Sequence, residues 1–191
     1  MQGLRVILGD PDETQRVELK KLLHALGQMV VGEAEDGLGT LKLIRRLTPD
    51  LVFISVQPAM KDGESVAHMI EDERLCPVVL LLERGRESHR SREADTLLPY
   101  LIKPLQEMSL QPIIDLAVSR FREVSRLEKE IRQLKNTIET RKIVEKAKGI
   151  LMRNLGINEA EAFRRIQKQS MNKRMSLKAV AEAIVVAYDM Q

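Results

Sequence analysis

The apolar positions follow two different patterns along the chain. In the first half they form short aliphatic runs separated by longer polar segments with helical spacing. LRVIL at 4–8 ends at Asp10, Met29–Gly32 is a second run, and LVFISV at 51–56 a third. PVVLLL at 77–82 and LPYLI at 98–102 are a fourth and fifth. Runs this short and this apolar suit parallel strands covered on both faces. Between the first two runs, Asp12–Thr14 starts a helix whose face is Val17, Leu19, Leu22, Leu23 and Leu26, with Gly27 to end it. Between the second and third, Leu38, Leu41, Leu43, Ile44 and Leu47 form another buried face, stopped by Pro49-Asp50. Strands alternating with helices predict an α/β fold with a five-stranded parallel sheet. In such sheets the chemistry sits beyond the carboxyl ends of the strands, which directs attention to Asp10, Ser55, Leu82 and Lys103.

The second half is helical. Beyond Pro112, placed in the first turn of its helix, no Pro or Gly occurs until Gly149. Val124, Leu127, Ile131, Leu134 and Ile138 are spaced 3, 4, 3 and 4. β-branched residues at one heptad position and Leu at the other favour a parallel two-stranded coil, so these five residues are the expected homodimer seam. A single helix packed on a neighbouring domain is the alternative.

Three further helical segments follow. Ile143, Val144, Ala147, Ile150, Leu151 and Leu155 line the first, with Gly156 as its cap. Asn158 and Glu161 form a capping box for the second, whose apolar face is Ala160, Ala162, Phe163 and Ile166. Ser176 caps the third, with Leu177, Val180, Ala181, Ile184 and Val185 inward. Ala147, Gly149, Ala160 and Ala162 are small enough for close helix contact. Phe163 and Tyr188 read as core residues.

Charge separates the halves. The 191-residue chain has a net charge of +3, yet residues 1–110 carry 14 Lys+Arg against 18 Asp+Glu, and residues 111–191 carry 17 against 10. The basic half suits a polyanionic partner such as nucleic acid or an anionic lipid. Cys76 is the only cysteine and the three His are scattered, which gives no disulfide framework and no metal-ligand cluster. No cofactor is expected. With no targeting segment and no apolar run of membrane length, the expected location is the cytoplasm, with no membrane partner. No nucleophile–base pair or substrate motif suggests an enzyme.

RVILGDPDE, PDLVFISVQPAMKDG and Lys103-Pro104, each at the end of its strand, make residues 4–120 resemble the receiver domain of bacterial response regulators. The resemblance implies a flavodoxin-like α/β fold and phosphoryl transfer to a strand-three Asp. It calls for an acidic pair with Mg²⁺, a hydroxyl on the fourth strand and a Lys on the fifth. Here Asp10 matches the first acid, but Pro11 replaces the second, and the reach of Asp12 is left open. Ser55 stands at the acceptor position and Leu82 at the hydroxyl position. Lys103 is retained. Mg²⁺ wants an oxygen cage, for which a Ser hydroxyl is a weaker ligand than a carboxylate and one acid is lost, and an alkyl group at 82 cannot hydrogen-bond a phosphoryl oxygen, so the expected pocket is degenerate and not phosphorylated. Asp10 is then a capping or Lys103-pairing carboxylate; a weak metal site at Asp10 and Asp12 is the alternative.

RKIVEKAKGILM followed by EAEAFRRIQKQSMNKRMSLKAVAEAIV resembles the ANTAR domain over about residues 135–189. The resemblance is to the RNA-binding output module of transcription antitermination regulators. With the receiver and coil, the chain is similar to the nitrate, amide and ethanolamine-utilisation antiterminators. The implied organisation is a receiver-like domain at 1–118, a coiled-coil helix at 119–140 running on from the last receiver helix, and an ANTAR domain at 141–191. The implied function is dimeric binding of tandem stem-loops, each with a hexanucleotide loop, in a leader transcript, which prevents a terminator hairpin. The candidate RNA contacts are Arg141, Lys142, Lys148 and Arg153 along one helix, and Met171, Asn172, Lys173 and Arg174 near a loop. Cations serve phosphates, while Asn172, Arg174 and Met171 suit base edges and faces. With phosphotransfer lost, a regulatory protein acting on the receiver-like domain is a further partner class. The competing functions are a phosphorylated response regulator with RNA output and a DNA-binding transcription regulator.

Overall fold

The computed structural model describes residues 3–60, 62–85 and 98–189. The chain divides into two compact units, 1–125 and 126–191.

The first unit is built on five parallel strands: β1 (Arg5–Gly9), β2 (Met29–Ala34), β3 (Leu51–Val56), β4 (Val78–Leu82) and β5 (Tyr100–Ile102). Their spatial order is β2-β1-β3-β4-β5. Helices α1 (Glu13–Ala25), α2 (Gly37–Leu47) and α3 (Gly63–Asp72) lie between strands in the chain, and α4 (Glu107–Leu155) follows β5. All six residues of β3 are buried, as a central strand with both faces covered requires.

The period-two alternation of the strands divides the apolar residues between two cores. Ile7, Val52, Ile54, Val78, Leu80 and Leu82 pack with Leu41 and Ile44 of α2 and Val66 and Ile70 of α3. Val6, Leu8, Leu51, Phe53, Val79 and Leu81 pack with Leu19 and Leu23 of α1 and Leu110, Ile114 and Ala117 of α4. The sheet's order reverses between β1 and β3, and their carboxyl ends define the crevice where such folds place their chemistry.

Several expected core positions lie elsewhere. Val17 is exposed, because the buried face of α1 is Arg16, Leu19 and Leu23, and Val17 is turned aside from it. Leu38 is also exposed. It lies in the first turn of α2, where the Asp62 carboxylate accepts from the Gly37 and Leu38 N–H groups at 3.1 and 3.0 Å. Pro112 is not in the first turn of its helix but inside it, since α4 begins at Glu107. Its ring nitrogen has no N–H to donate to the Met108 carbonyl, and Met108 lies at the surface.

The second unit comprises the last part of α4, with α5 (Glu159–Lys173) and α6 (Leu177–Asp189). Its core is Val144, Ala147, Ile150, Leu151, Ala162, Ile166, Val180, Ala181 and Val185, with Tyr188 packed against it. Gly156 takes a φ of +65° and its N–H donates to the Met152 carbonyl at 3.0 Å. Asn158 Oδ1 accepts from the Glu161 N–H at 2.9 Å, and Ser176 Oγ from the Ala179 N–H at 3.1 Å. Leu155, the final residue of α4, is exposed. Phe163 is also exposed, since the buried line of α5 is Ala162 and Ile166. Close helix contact falls to Ala147 and Ala162: Ala160 is exposed, and a Cβ on Gly149 would meet nothing within 4 Å.

Gly63 opens α3 against the end of β3, where a Cβ would lie 2.3 Å from the Ser55 carbonyl oxygen. That oxygen is backbone, so no flexible side chain can yield at the closest contact. Gly63→Ala should therefore destabilise the first unit by about 1–3 kcal/mol, read as a lower urea midpoint. An unchanged midpoint would show that α3 shifts freely.

Candidate functional site

Asp10 follows β1 and Lys103 follows β5, while Ser55 is the fifth residue of β3. The parallel register brings all three to one end of the sheet. Asp10 is 2% exposed and Ser55 fully buried. Lys103 Nζ donates to Asp10 Oδ2 at 2.5 Å and to Ser55 Oγ at 3.3 Å. Asp10 Oδ1 accepts from the Asp12 N–H at 3.0 Å and from Gln57 Nε2 at 3.2 Å. Both carboxylate oxygens are thus engaged by protein donors.

The other expected pocket residues are used differently. Asp12 is the N-cap of α1; its Oδ1 accepts from the Thr14 and Gln15 N–H groups at 2.8 and 3.2 Å, so its carboxylate serves the helix. Leu82 is buried among the aliphatic side chains packed under α2 and α3. The residues present do not fit a divalent ion. One carboxylate remains, its oxygens are taken, and the Ser55 hydroxyl already faces an ammonium group. Among the described residues no group of three or more His, Cys, Asp or Glu is placed to hold a metal. Burial pushes the Cys76 thiol up to about 12, which leaves it a packing residue.

Two residues of this pocket are not found by sequence reasoning. Gln57 lies just beyond β3, a place where its amide reaches Asp10, but a lone Gln carries no motif. Arg16 donates from its guanidinium to the Asp10 carbonyl at 2.6 Å and lies 3.7 Å from Glu33 and 3.5 Å from Glu35. Its spacing to Leu19 and Leu23 puts it on the buried face; its charge argued for the opposite face.

In the second unit the expected RNA-contact residues separate into two groups. Arg141, Lys142, Arg153, Met171, Asn172, Lys173 and Arg174 are exposed, Met171 by 77%. Asn172 and Lys173 end α5, and Arg174 is its cap in the left-handed conformation, φ 51°. Lys148 departs from the expectation of a phosphate contact. Its side chain is 9% exposed, and its Nζ lies 2.7 Å from Glu145 and 2.6 Å from Glu159. An ammonium group already between two carboxylates is a fastening between α4 and α5, not an open cation. A second such pair joins Lys178 to Glu139 at 2.9 Å.

The heptad residues are exposed in the second unit, from Leu127 to Leu134 at 63% and Ile138. Val124 differs. It is partly buried and lines a small cavity in the first unit with Glu71, Arg120 and Phe121.

The first unit therefore has the receiver architecture, with a single-carboxylate pocket, and the second is a three-helix module with a basic surface. Residues 132–185 match the ANTAR domain. The chain is 38% identical over 183 residues to the transcriptional regulatory protein PdtaR of Mycobacterium tuberculosis, covering 95% of this chain and 89% of that protein. It belongs to the PdtaR-type family, in which a receiver-like domain is joined to an ANTAR domain. In fold the first unit is like the signal receiver domain of a modulated diguanylate cyclase from Desulfovibrio desulfuricans. That match has a TM-score of 0.55 and 19% identity, over 63% of this chain and 97% of the other. The receiver domain of AraT from Geobacillus stearothermophilus matches with a TM-score of 0.54 and 20% identity, over 65% and 99%. No helix among the described residues is long and apolar enough to cross a membrane.

Two expected outcomes follow from the ion pairs. Lys103→Met should strand a buried carboxylate and lower stability by about 3–5 kcal/mol, and adding Asp10→Asn should recover much of it. Urea unfolding of the four chains reads the coupling; purely additive losses would mean that the pair contributes nothing. In the second unit, the Lys148 ammonium holds the Glu159 carboxyl below its ordinary value of 4.5. A lowered carboxylate pKa contributes stability above 4.5, lost as pH falls through the lower folded value. Glu159→Gln should melt below wild type at neutral pH, with the gap closing in acid. A gap independent of pH would assign the loss to packing.

Proposed function

We propose that the chain is an RNA-binding regulator of transcription. As a dimer it would grip tandem stem-loops in a leader transcript and prevent terminator formation. The observation that carries this reading is the ANTAR match over 132–185, whose basic surface keeps Arg141, Lys142, Arg153, Asn172, Lys173 and Arg174 exposed. Cations on such a surface suit phosphates, and exposed polar and apolar groups suit the splayed bases of a loop. The heptad stripe supports pairing of two chains through Leu127, Ile131, Leu134 and Ile138, with Val124 at its margin. The domain limits are taken as 1–118, 119–140 and 141–191.

Control of the first unit has two readings. Kinship with PdtaR and with proteins named as response regulatory proteins, such as one from Vibrio cholerae at 32% identity over 103 residues, favours control by phosphorylation. The pocket itself favours control without phosphate. Serine forms no aspartyl phosphate, Asp10 is occupied by Lys103 and Gln57, and Leu82 offers no hydroxyl. We take the second reading, in which a regulatory protein acting on the receiver-like unit is the input.

The test titrates the full chain with RNAs of two stem-loops, one stem-loop and a matched DNA duplex, before and after treatment with Mg²⁺ and a small phosphodonor. Two linked sites supply an effective concentration, so the paired RNA should bind about 100-fold or more tighter than the single one. The phosphodonor should leave no acid-stable or hydroxylamine-sensitive adduct and change no affinity. Ile131→Asp with Leu134→Asp should remove the advantage of the paired RNA. Equal affinity for all three nucleic acids would reduce the reading to a generic basic patch, and a phosphodonor-dependent gain would establish the response-regulator reading.

A further inference from the structure

Within α5 the exposed residues are ordered by chemistry. The segment AFRRIQKQSMNKR, residues 162–174, contains five Lys or Arg and no acid. The two carboxylates earlier in the helix are both taken: Glu159 by Lys148, and Glu161 by Arg165 at 3.4 Å. Ala162 and Ile166 are fully buried and define the inner face. Phe163, Gln167 and Met171 are spaced i, i+4, i+8, so they form one line along the helix, and all three are exposed. Arg164 and Lys168, also i and i+4, form a second exposed line beside it.

This composition is unusual for a face turned to water. Phe163 is one of three Phe in the chain, yet it is 37% exposed and outside the apolar cluster of its unit. Met171 is 77% exposed. Between them Gln167 carries an amide with two donors and one acceptor. An aromatic ring and a thioether give flat or adaptable apolar contact, an amide reads base edges, and flanking cations hold the backbone.

We infer that the outer face of α5, with Phe163, Gln167 and Met171 flanked by Arg164 and Lys168, is the platform that receives the unpaired bases of an RNA loop. The inference rests on the RNA-binding reading above and deepens it. A single-stranded loop fits better than a duplex. Its bases are free to stack on an apolar line, and its phosphates meet cations on one side with no acid opposing them. Arg141, Lys142 and Arg153 then serve the stem's phosphates, and the α5 line determines which loop is bound.

The experiment uses the full chain and a pool of tandem RNA stem-loops with randomised hexanucleotide loops. Wild type should retain RNA and enrich a loop sequence. Arg164→Gln with Lys168→Gln should weaken binding about tenfold or more and reduce the slope of log affinity against log salt by about one to two. Lys168→Arg, which keeps the charge, should bind as wild type. Phe163→Ser with Met171→Ser should abolish the loop preference while leaving residual, salt-sensitive binding. Met171→Ser alone, at a surface position, gives the same readout should the double variant unfold by circular dichroism. If these variants keep the wild-type affinity and loop preference, the platform lies elsewhere while RNA binding stands. A wild type that enriches no RNA overturns the RNA-binding reading itself. A chain that instead loses self-association when Phe163 and Met171 are replaced assigns the face to a second copy of the protein and overturns the platform.

Discussion

A buried carboxylate must be answered by donors, and at the reversal point of the sheet that requirement organises the pocket. Asp10 is almost wholly removed from water, so its charge survives only with partners at close range. Lys103 approaches from the end of β5, Gln57 from the end of β3, and the Asp12 N–H from the start of α1. Arg16 holds the backbone of the same residue through its carbonyl. Three segments, the ends of β5 and β3 and the start of α1, are therefore tied to one side chain. The two aliphatic cores supply the bulk of the burial, but they are non-directional; the polar contacts at Asp10 specify how the strand ends meet.

That arrangement also bears on chemistry. A carboxylate available to a hard divalent ion needs free lone pairs, and here they face an ammonium group and two N–H donors. The ammonium supplies internally the positive charge a metal would bring. The Ser55 hydroxyl lies beside it, 3.3 Å from the ammonium nitrogen. The pocket keeps the architecture of a receiver while its polar groups are mutually satisfied.

Much of this was legible in the chain. Strand runs such as LVFISV announce themselves because both faces are buried and nearly every position is apolar. Asp10, Ser55 and Lys103 follow from the rule that chemistry gathers at strand ends, and the caps at Gly156, Asn158 and Ser176 from local turn chemistry. The losses have definite causes. Helical periodicity locates a face to within about one residue, so Val17 and Phe163 read as inward although the buried lines are Arg16, Leu19 and Leu23 on α1 and Ala162 and Ile166 on α5. Leu38 has the right spacing, but the first turn of α2 is bound by carboxylates. Lys148 looked like an open cation because the partner that neutralises it, Glu159, comes from another helix, and linear spacing does not report contacts between helices. Gln57 carries no signal until the folded chain brings it to Asp10.

The basic residues show most clearly how position decides role. Lys103 and Lys148 are enclosed and paired, each with a carboxylate within hydrogen-bond distance. Enclosing an ammonium group without such a partner is costly, so a buried lysine can persist only where an acid is brought to it. Arg164 and Lys168 lie on a stretch of helix from which acids are missing, and the two acids just upstream are turned to other cations. These side chains are exposed, with no ion-pair partner among the described residues, and so are open to an outside anion. A net charge assigned to the whole unit would count both kinds alike. What an external phosphate meets is only the second kind, and on α5 that set lies beside an exposed phenylalanine, an amide and a methionine. The charge that folds the module and the charge left over for a partner are thus carried by different residues, so the one can be altered while the other is retained.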